Sequence, residues 1–96
     1  MNMIGKRVIV RTFSAGVHYG TLASLDGKQA VLTDARRIWY WEGAFTLSEV
    51  SQKGVSSKSK LSISVPEIVL TEAIEVIPCT DAAVACLDGI KTYEPR

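Results

Sequence analysis

The residues best suited to chemistry lie together in one eleven-residue stretch, DARRIWYWEGA. Arg36 and Arg37 carry planar guanidinium groups, which bind phosphate through paired hydrogen bonds. Trp39, Tyr40 and Trp41 offer flat faces on which a nucleobase can stack, and each stacked base contributes about 1–3 kcal/mol. Because a nucleotide needs both kinds of contact, the stretch predicts a nucleotide-binding surface.

Alternation along a strand decides which of these side chains share a face. A strand sends successive side chains to opposite sides, so Arg37, Trp39 and Trp41 should form one pocket wall. Packing is the alternative, because tryptophans after a strand commonly fill the space under the next helix, here against Leu47 and Val50, or lie in subunit interfaces. Both interpretations hold together if the pocket lies between subunits.

Three residues on other predicted strands complete the candidate ligand site: His18, Tyr19 and Arg11. His18 is the only histidine, so a catalytic triad would have to be built around it, with Ser14 or Ser24 as nucleophile. A strand histidine with a satisfied hydrogen bond is the simpler interpretation. The sequence also lacks a Gly-rich phosphate loop, HExxH and CxxC. We therefore expect a non-catalytic protein without metal or cofactor.

Charge is divided unevenly along the chain. The formal net charge is +1, but residues 1–40 carry six basic and two acidic side chains, or +4, and residues 41–96 carry five and eight, or −3. This asymmetry permits an anionic ligand on the first half or head-to-tail pairing of subunits. The alternative is that the two halves of the chain form ordinary solvated surfaces without a binding role.

Length and composition predict a single soluble domain over residues 1–96. An apolar content of 47% suffices for one small core. No apolar run approaches the roughly 20 residues that span a bilayer, and no signal-peptide pattern is present, so we expect a cytoplasmic protein without membrane contact. Cys79 and Cys86 have no nearby metal-ligand partner; buried free thiols are expected, with a disulfide as the alternative.

Period-two patterns predict the elements that must position the candidate site. KRVIVRTF and VHYGTLASL each alternate like a strand, and a third strand begins in KQAVLTDA and extends towards RRIWYW. The dipeptide Asp26-Gly27 predicts a tight hairpin between the second and third strands. Two further strands follow in EIVL and AIEVIPC, and Pro66 indicates an edge position or a bulge.

Capping signals predict two short helices. Thr46 and Glu49 form a capping box ahead of Gly54, which predicts about two turns of helix after the third strand. Thr80 predicts the start of a C-terminal helix, with Gly89 just beyond its end. The fold class is therefore mainly β: a small five-stranded SH3-like or Sm-like barrel with one inserted short helix and a possible C-terminal helix.

The motifs GKRVIVRT, AGVHYGTLASLDG and AVLTDA together resemble the first motif of Sm and Lsm proteins, and EIVLTEAIEVIPC looks like the second. The resemblance covers roughly residues 5–35 and 61–79, and it implies an Sm-like barrel that assembles into a ring. It implies less about uridine-rich RNA, because Asp26 is followed by Gly27 where Sm proteins carry Met-Asn. The second motif also lacks the Arg-Gly or Lys-Gly turn of Sm proteins.

A second resemblance covers nearly the whole chain. MIGKRVIVRTFSAGVHYGTL, LTDARRIWYWEGAFTLSEV and VLTEAIEVIPC are similar to a family of small uncharacterised proteins of tailed bacteriophages. That resemblance implies a viral gene expressed in the bacterial host cytoplasm, without implying an activity.

These observations favour a homo-oligomeric phage-type binding protein that captures a small anionic nucleotide, such as a signal used in bacterial defence. One alternative is a single-stranded RNA- or DNA-binding Sm-like ring, with contacts from Lys6, Arg7, Arg11, Lys28 and the KSK loop. The other is a structural or host-protein-binding module, in which the tryptophans dominate an interface.

Overall fold

The computed structural model describes residues 2–94. Six strands and two helices follow one another in the order β1 Arg7–Thr12, β2 Val17–Asp26, β3 Gln29–Tyr40, α1 Leu47–Lys53, β4 Lys60–Leu61, β5 Val65–Leu70, β6 Ala73–Pro78 and α2 Asp81–Gly89. The predicted mainly β class is confirmed, and so are both helices. The prediction of five strands missed the two-residue β4, which is too short to carry a periodic pattern.

All strands belong to one antiparallel sheet in the order β4-β3-β2-β1-β6, with β5 also paired to β3. The long β3 pairs with β2 along one edge, and on its other edge its first half pairs with β5 and its last residues pair with β4. β5 and β6 pair with one neighbour each and not with each other, so the sheet is open. Only Thr71 and Glu72 connect these two edge strands, which requires the sheet to curve until its edges approach.

Apolar side chains cover both faces of the sheet. The helix-side core joins β1, β2, β3 and β4 to both helices through Ile9, Tyr19, Ile38, Leu47, Val50, Val55, Leu61 and Leu87. The inner core lies on the opposite face and contains Val8, Val10, Leu22, Ala30, Leu32, Ala35 and Leu70. Three consecutive residues of β1, Val8, Ile9 and Val10, are therefore fully buried, although alternation alone predicts one exposed face.

The predicted helix starts are confirmed. Thr46 Oγ1 accepts the Glu49 N–H at 3.4 Å, and the Glu49 carboxylate accepts the Phe45 N–H at 2.8 Å. Thr80 Oγ1 accepts the Ala83 N–H at 3.1 Å in the same way. The two bonds to threonine satisfy N–H groups that the first turn of a helix leaves unpaired, and the bond to Phe45 fixes the residue before the cap.

Four glycine and proline residues were predicted to mark a turn, a helix end or an edge strand, and three of these predictions are confirmed and one is wrong. Gly27 has φ 58 in the β2–β3 turn, Gly54 has φ 83 after α1, and Pro66 lies in the edge strand β5. Gly89 was expected just beyond the last helix, but it is the final residue of α2, and Ile90 takes the cap position.

Both cysteines are free thiols, half-buried where buried ones were expected. Burial raises the pKa of Cys79 to about 11, which keeps it protonated at neutral pH. Within residues 2–94 no helix combines the length and apolarity needed to cross a membrane.

Candidate functional site

An open cleft beside the end of β3 brings together the side chains best suited to hold a ligand. Its volume is about 420 Å³, within the range of small-molecule sites. We call it the aromatic cleft; it is lined by Arg37, Trp39, Lys60, Leu61, Ser62 and Tyr93.

Pairing between three segments positions this cleft. β4 pairs with the end of β3, where Lys60 lies opposite Tyr40. The residues after α2 run beside β4: the Tyr93 N–H donates to the Leu61 carbonyl at 2.9 Å, and Leu61 and Thr92 form a parallel bridge. Backbone hydrogen bonds therefore bring the C-terminal segment to the end of β3.

Two aromatic rings form the exposed wall of the cleft. The rings of Trp39 and Tyr93 have their centroids 6.3 Å apart and are inclined by 23°. Lys60 Nζ lies 4.8 Å from the Tyr93 centroid, 5.1 Å from Trp39 and 5.6 Å from Tyr40. Trp39 is 68% exposed, so most of its indole is accessible to a ligand.

Arg37 and Lys60 supply positive charge that no carboxylate among residues 2–94 neutralises directly. Neither side chain forms an ion pair within the part of the chain that the structure describes. The backbone beneath them is fixed, because Ser62 Oγ accepts the Arg37 N–H at 2.8 Å and donates to the Ile63 carbonyl at 3.1 Å. The cleft therefore combines a rigid floor, two accessible cations and two rings, a set suited to an anion with an aromatic group.

The aromatic stretch of the sequence is divided between the cleft and the core. Arg37 and Trp39 share the cleft, as alternation predicts. Trp41 lies elsewhere, packed against the helix-side core with Nε1 donating to the Ala44 carbonyl at 3.1 Å. The reason is that β3 ends at Tyr40, so alternation stops there. Tyr40 is 42% exposed, and its hydroxyl donates to Glu42 at 2.6 Å, which raises the pKa of Tyr40.

Arg36 is a structural residue with only 7% of its surface exposed. Its Nε donates to the Ser62 carbonyl at 3.0 Å, and its Nη1 donates to the Leu87 carbonyl at 2.9 Å. The second bond places a positive charge at the last turn of α2, where the helix dipole favours it. The sequence assigned Arg36 to the ligand, but the structure uses it to join β3 to α2.

Tyr19 is also held inside the molecule. It is fully buried, its hydroxyl donates to Asp88 at 2.8 Å, and the Arg7 guanidinium lies 4.2 Å above its ring. Arg7 in turn forms an ion pair with Asp88 at 3.1 Å. Burial raises the pKa of Tyr19, so its hydroxyl stays protonated and keeps donating. This network fastens β1 and β2 to α2.

The two remaining predicted residues lie outside the aromatic cleft. His18 is 1% exposed, and its Nε2 lies 2.9 Å from the Ala15 carbonyl, which fits the expected satisfied strand histidine. Arg11 forms an ion pair with Glu75 at 3.1 Å and lines none of the three cavities described for residues 2–94.

Lys60 and Tyr93 belong to the cleft, although the sequence did not assign them to the nucleotide site. Lys60 was noted only as part of the KSK loop, and the tail with Tyr93 carries no periodic signal. Both are placed by pairing between segments distant in sequence. A lysine and a tyrosine next to apolar residues are too common to single out a site without that pairing.

A family model described as a domain of unknown function (DUF6948) matches residues 5–87. No curated protein and no solved structure matches the chain. The matched range includes both sheet strands that form the cleft and ends before Tyr93.

Proposed function

We propose that this chain, which belongs to the DUF6948 family, is a non-catalytic protein that binds a small anionic nucleotide. One observation carries the proposal. In the aromatic cleft, Arg37 and Lys60 have no ion-pair partner within residues 2–94 and lie beside the exposed rings of Trp39 and Tyr93. The base stacks on the indole and the phosphate binds the two cations.

The position of Lys60 explains how the cleft accepts such a ligand. Its ammonium lies over the rings of Trp39 and Tyr93, a contact worth about 0.5–1 kcal/mol at an exposed site. A stacked base contributes about 1–3 kcal/mol, and a charge-assisted bond to phosphate adds to this. A nucleotide therefore displaces the ammonium from the rings and gains it as a phosphate contact.

The sheet edges support self-association as part of this role. β5 and β6 each have one unpaired edge, and both carry exposed apolar side chains, among them Val69 and Ile74, each 48% exposed. Unpaired edges of this kind are sites where strands of another copy can add. The order β6-β1-β2-β3-β5 also supports a small Sm-like barrel, since contact between its end strands would close it. In a phage-type protein, an oligomer with one cleft per chain would sequester a nucleotide signal in the host cytoplasm.

Native mass spectrometry and isothermal titration calorimetry test the proposal together. We expect a defined oligomer that binds cyclic dinucleotides, ADP-ribose or 5′-AMP at one site per chain. Arg37→Met and Trp39→Ala should each weaken binding about tenfold or more, since each removes one of the two principal contacts. Arg11→Met is the matched control, because it removes the same charge outside the cleft and should bind like the parent.

Uptake of no nucleotide, or equal losses in Arg11→Met and Arg37→Met, would contradict the proposal. Single-stranded nucleic acid is the second candidate, favoured by the openness of the cleft and by Lys60 from the KSK loop. Two of its expected contacts are already occupied, because Arg7 pairs with Asp88 and Arg11 with Glu75. Tight binding of oligonucleotides that falls steeply with salt would support this candidate instead.

A further inference from the structure

A second cavity lies next to the aromatic cleft. It has a volume of about 210 Å³, and we call it the aliphatic cavity. Its lining consists of His18, Ala35, Arg36, Arg37, Ser62, Ile63, Val65 and Ile68. Arg37 and Ser62 line both cavities, so the two spaces adjoin at these residues. The cation of Arg37 therefore stands at the border between an aromatic compartment and an aliphatic one.

The aliphatic cavity has accessible apolar surface of its own. Ile63 is 69% exposed and Val65 is 37% exposed, although both are large aliphatic side chains. The buried Arg36 also lines the cavity, and its Nη2 has no hydrogen-bond partner within residues 2–94. A flat or apolar group would cover the exposed aliphatic surface of Ile63 and Val65.

We infer that the ligand of the aromatic cleft is a dinucleotide, an inference that rests on the proposed function. One base stacks on Trp39, the bridging phosphate binds Arg37, and the second nucleoside enters the aliphatic cavity against Ile63 and Val65. A mononucleotide would fill only the aromatic cleft and leave the aliphatic surface exposed to water. Joining two groups that bind adjacent sites strengthens the second contact, because it becomes intramolecular.

The experiment compares 5′-AMP with the dinucleotides 5′-pApA and cyclic di-AMP on the intact chain by calorimetry. The dinucleotide with the higher affinity should bind more tightly than 5′-AMP by a factor of about ten or more. Ile63→Gln keeps the charge around Arg37 unchanged but removes apolar surface. It should weaken dinucleotide binding about fivefold and leave 5′-AMP binding unchanged.

Leu25→Gln is the matched control, because Leu25 is a 40% exposed aliphatic residue near the β2–β3 turn and lines neither cavity. It should change neither affinity. Equal affinities for 5′-AMP and both dinucleotides would overturn the dinucleotide inference and leave the nucleotide proposal standing. Dinucleotide binding that Ile63→Gln does not weaken would overturn it as well. Failure of all three compounds to bind would overturn the dinucleotide inference, and failure of ADP-ribose as well would remove the nucleotide proposal.

Discussion

The same substitution should destabilise the protein at Arg36 and leave its stability nearly unchanged at Arg37, because only Arg36 is structural. Arg36→Met removes two hydrogen bonds from a charged donor to the Ser62 and Leu87 carbonyls. Each such bond contributes about 1.5–3 kcal/mol. The substitution also removes Nη2, which has no hydrogen-bond partner within residues 2–94, and this offsets about 1–3 kcal/mol of the loss. We expect a net loss of about 3 kcal/mol in the free energy of unfolding.

Arg37→Met should change this free energy by no more than about 0.5 kcal/mol, because the Arg37 side chain is exposed and has no ion pair within residues 2–94. Urea unfolding followed by circular dichroism measures both variants. For a domain of this size, about 3 kcal/mol corresponds to about 15 °C in Tm. Equal destabilisation of the two variants, or a loss below about 1 kcal/mol in Arg36→Met, would refute the structural assignment of Arg36.

Two further predictions concern pH and a glycine contact. Burial lowers the pKa of His18 in the folded protein below its unfolded value of about 6.5. Neutral His18 therefore contributes its full stability above about pH 6.5, and this contribution falls as the pH drops towards the folded pKa. Urea unfolding between pH 7.5 and 5.5 should show this loss in the parent and not in His18→Gln; an equal pH dependence would contradict it. Gly54→Ala should destabilise by at least about 2 kcal/mol, because Gly54 has φ 83 and an added Cβ would lie 2.5 Å from Cys86. Gly16 has φ 84 and open space around it, so Gly16→Ala should lose only the stability that the strained backbone costs. Equal losses of unfolding free energy in Gly16→Ala and Gly54→Ala would show that the Cys86 contact is unimportant.

Local signals in the sequence were sufficient for most of the fold. Thr46 and Thr80 were identified as helix caps because a capping hydrogen bond involves residues only three apart. The β2–β3 hairpin followed from Asp26-Gly27 for the same reason. β4 was missed because its two residues form a strand only by pairing with Ile38 and Tyr40, which are distant in sequence.

The candidate site was predicted less well, for a physical reason that Arg36 and Trp41 illustrate. Both have the chemistry of ligand contacts, but the same chemistry serves a protein interior. A guanidinium can hold buried carbonyls, and an indole can cover a core while donating to Ala44. Residue type therefore pointed to the part of β3 that lines the cleft, and burial distinguished Arg37 and Trp39 from Arg36 and Trp41.

The covering of both sheet faces explains why β3 ends in an accessible cleft. Along the strand, Ile38 lies in the helix-side core and Ala35 in the inner core, so either face can bury a side chain. The inner core does not extend to the end of β3, because β5 pairs only as far as Ala35. Beyond that point the edge of β3 pairs with β4, and Arg37 and Trp39 are both exposed. The aromatic cleft lies where β3 pairs with β4, and because the Arg37 side chain is exposed there, substitutions at Arg37 should affect binding without affecting the fold.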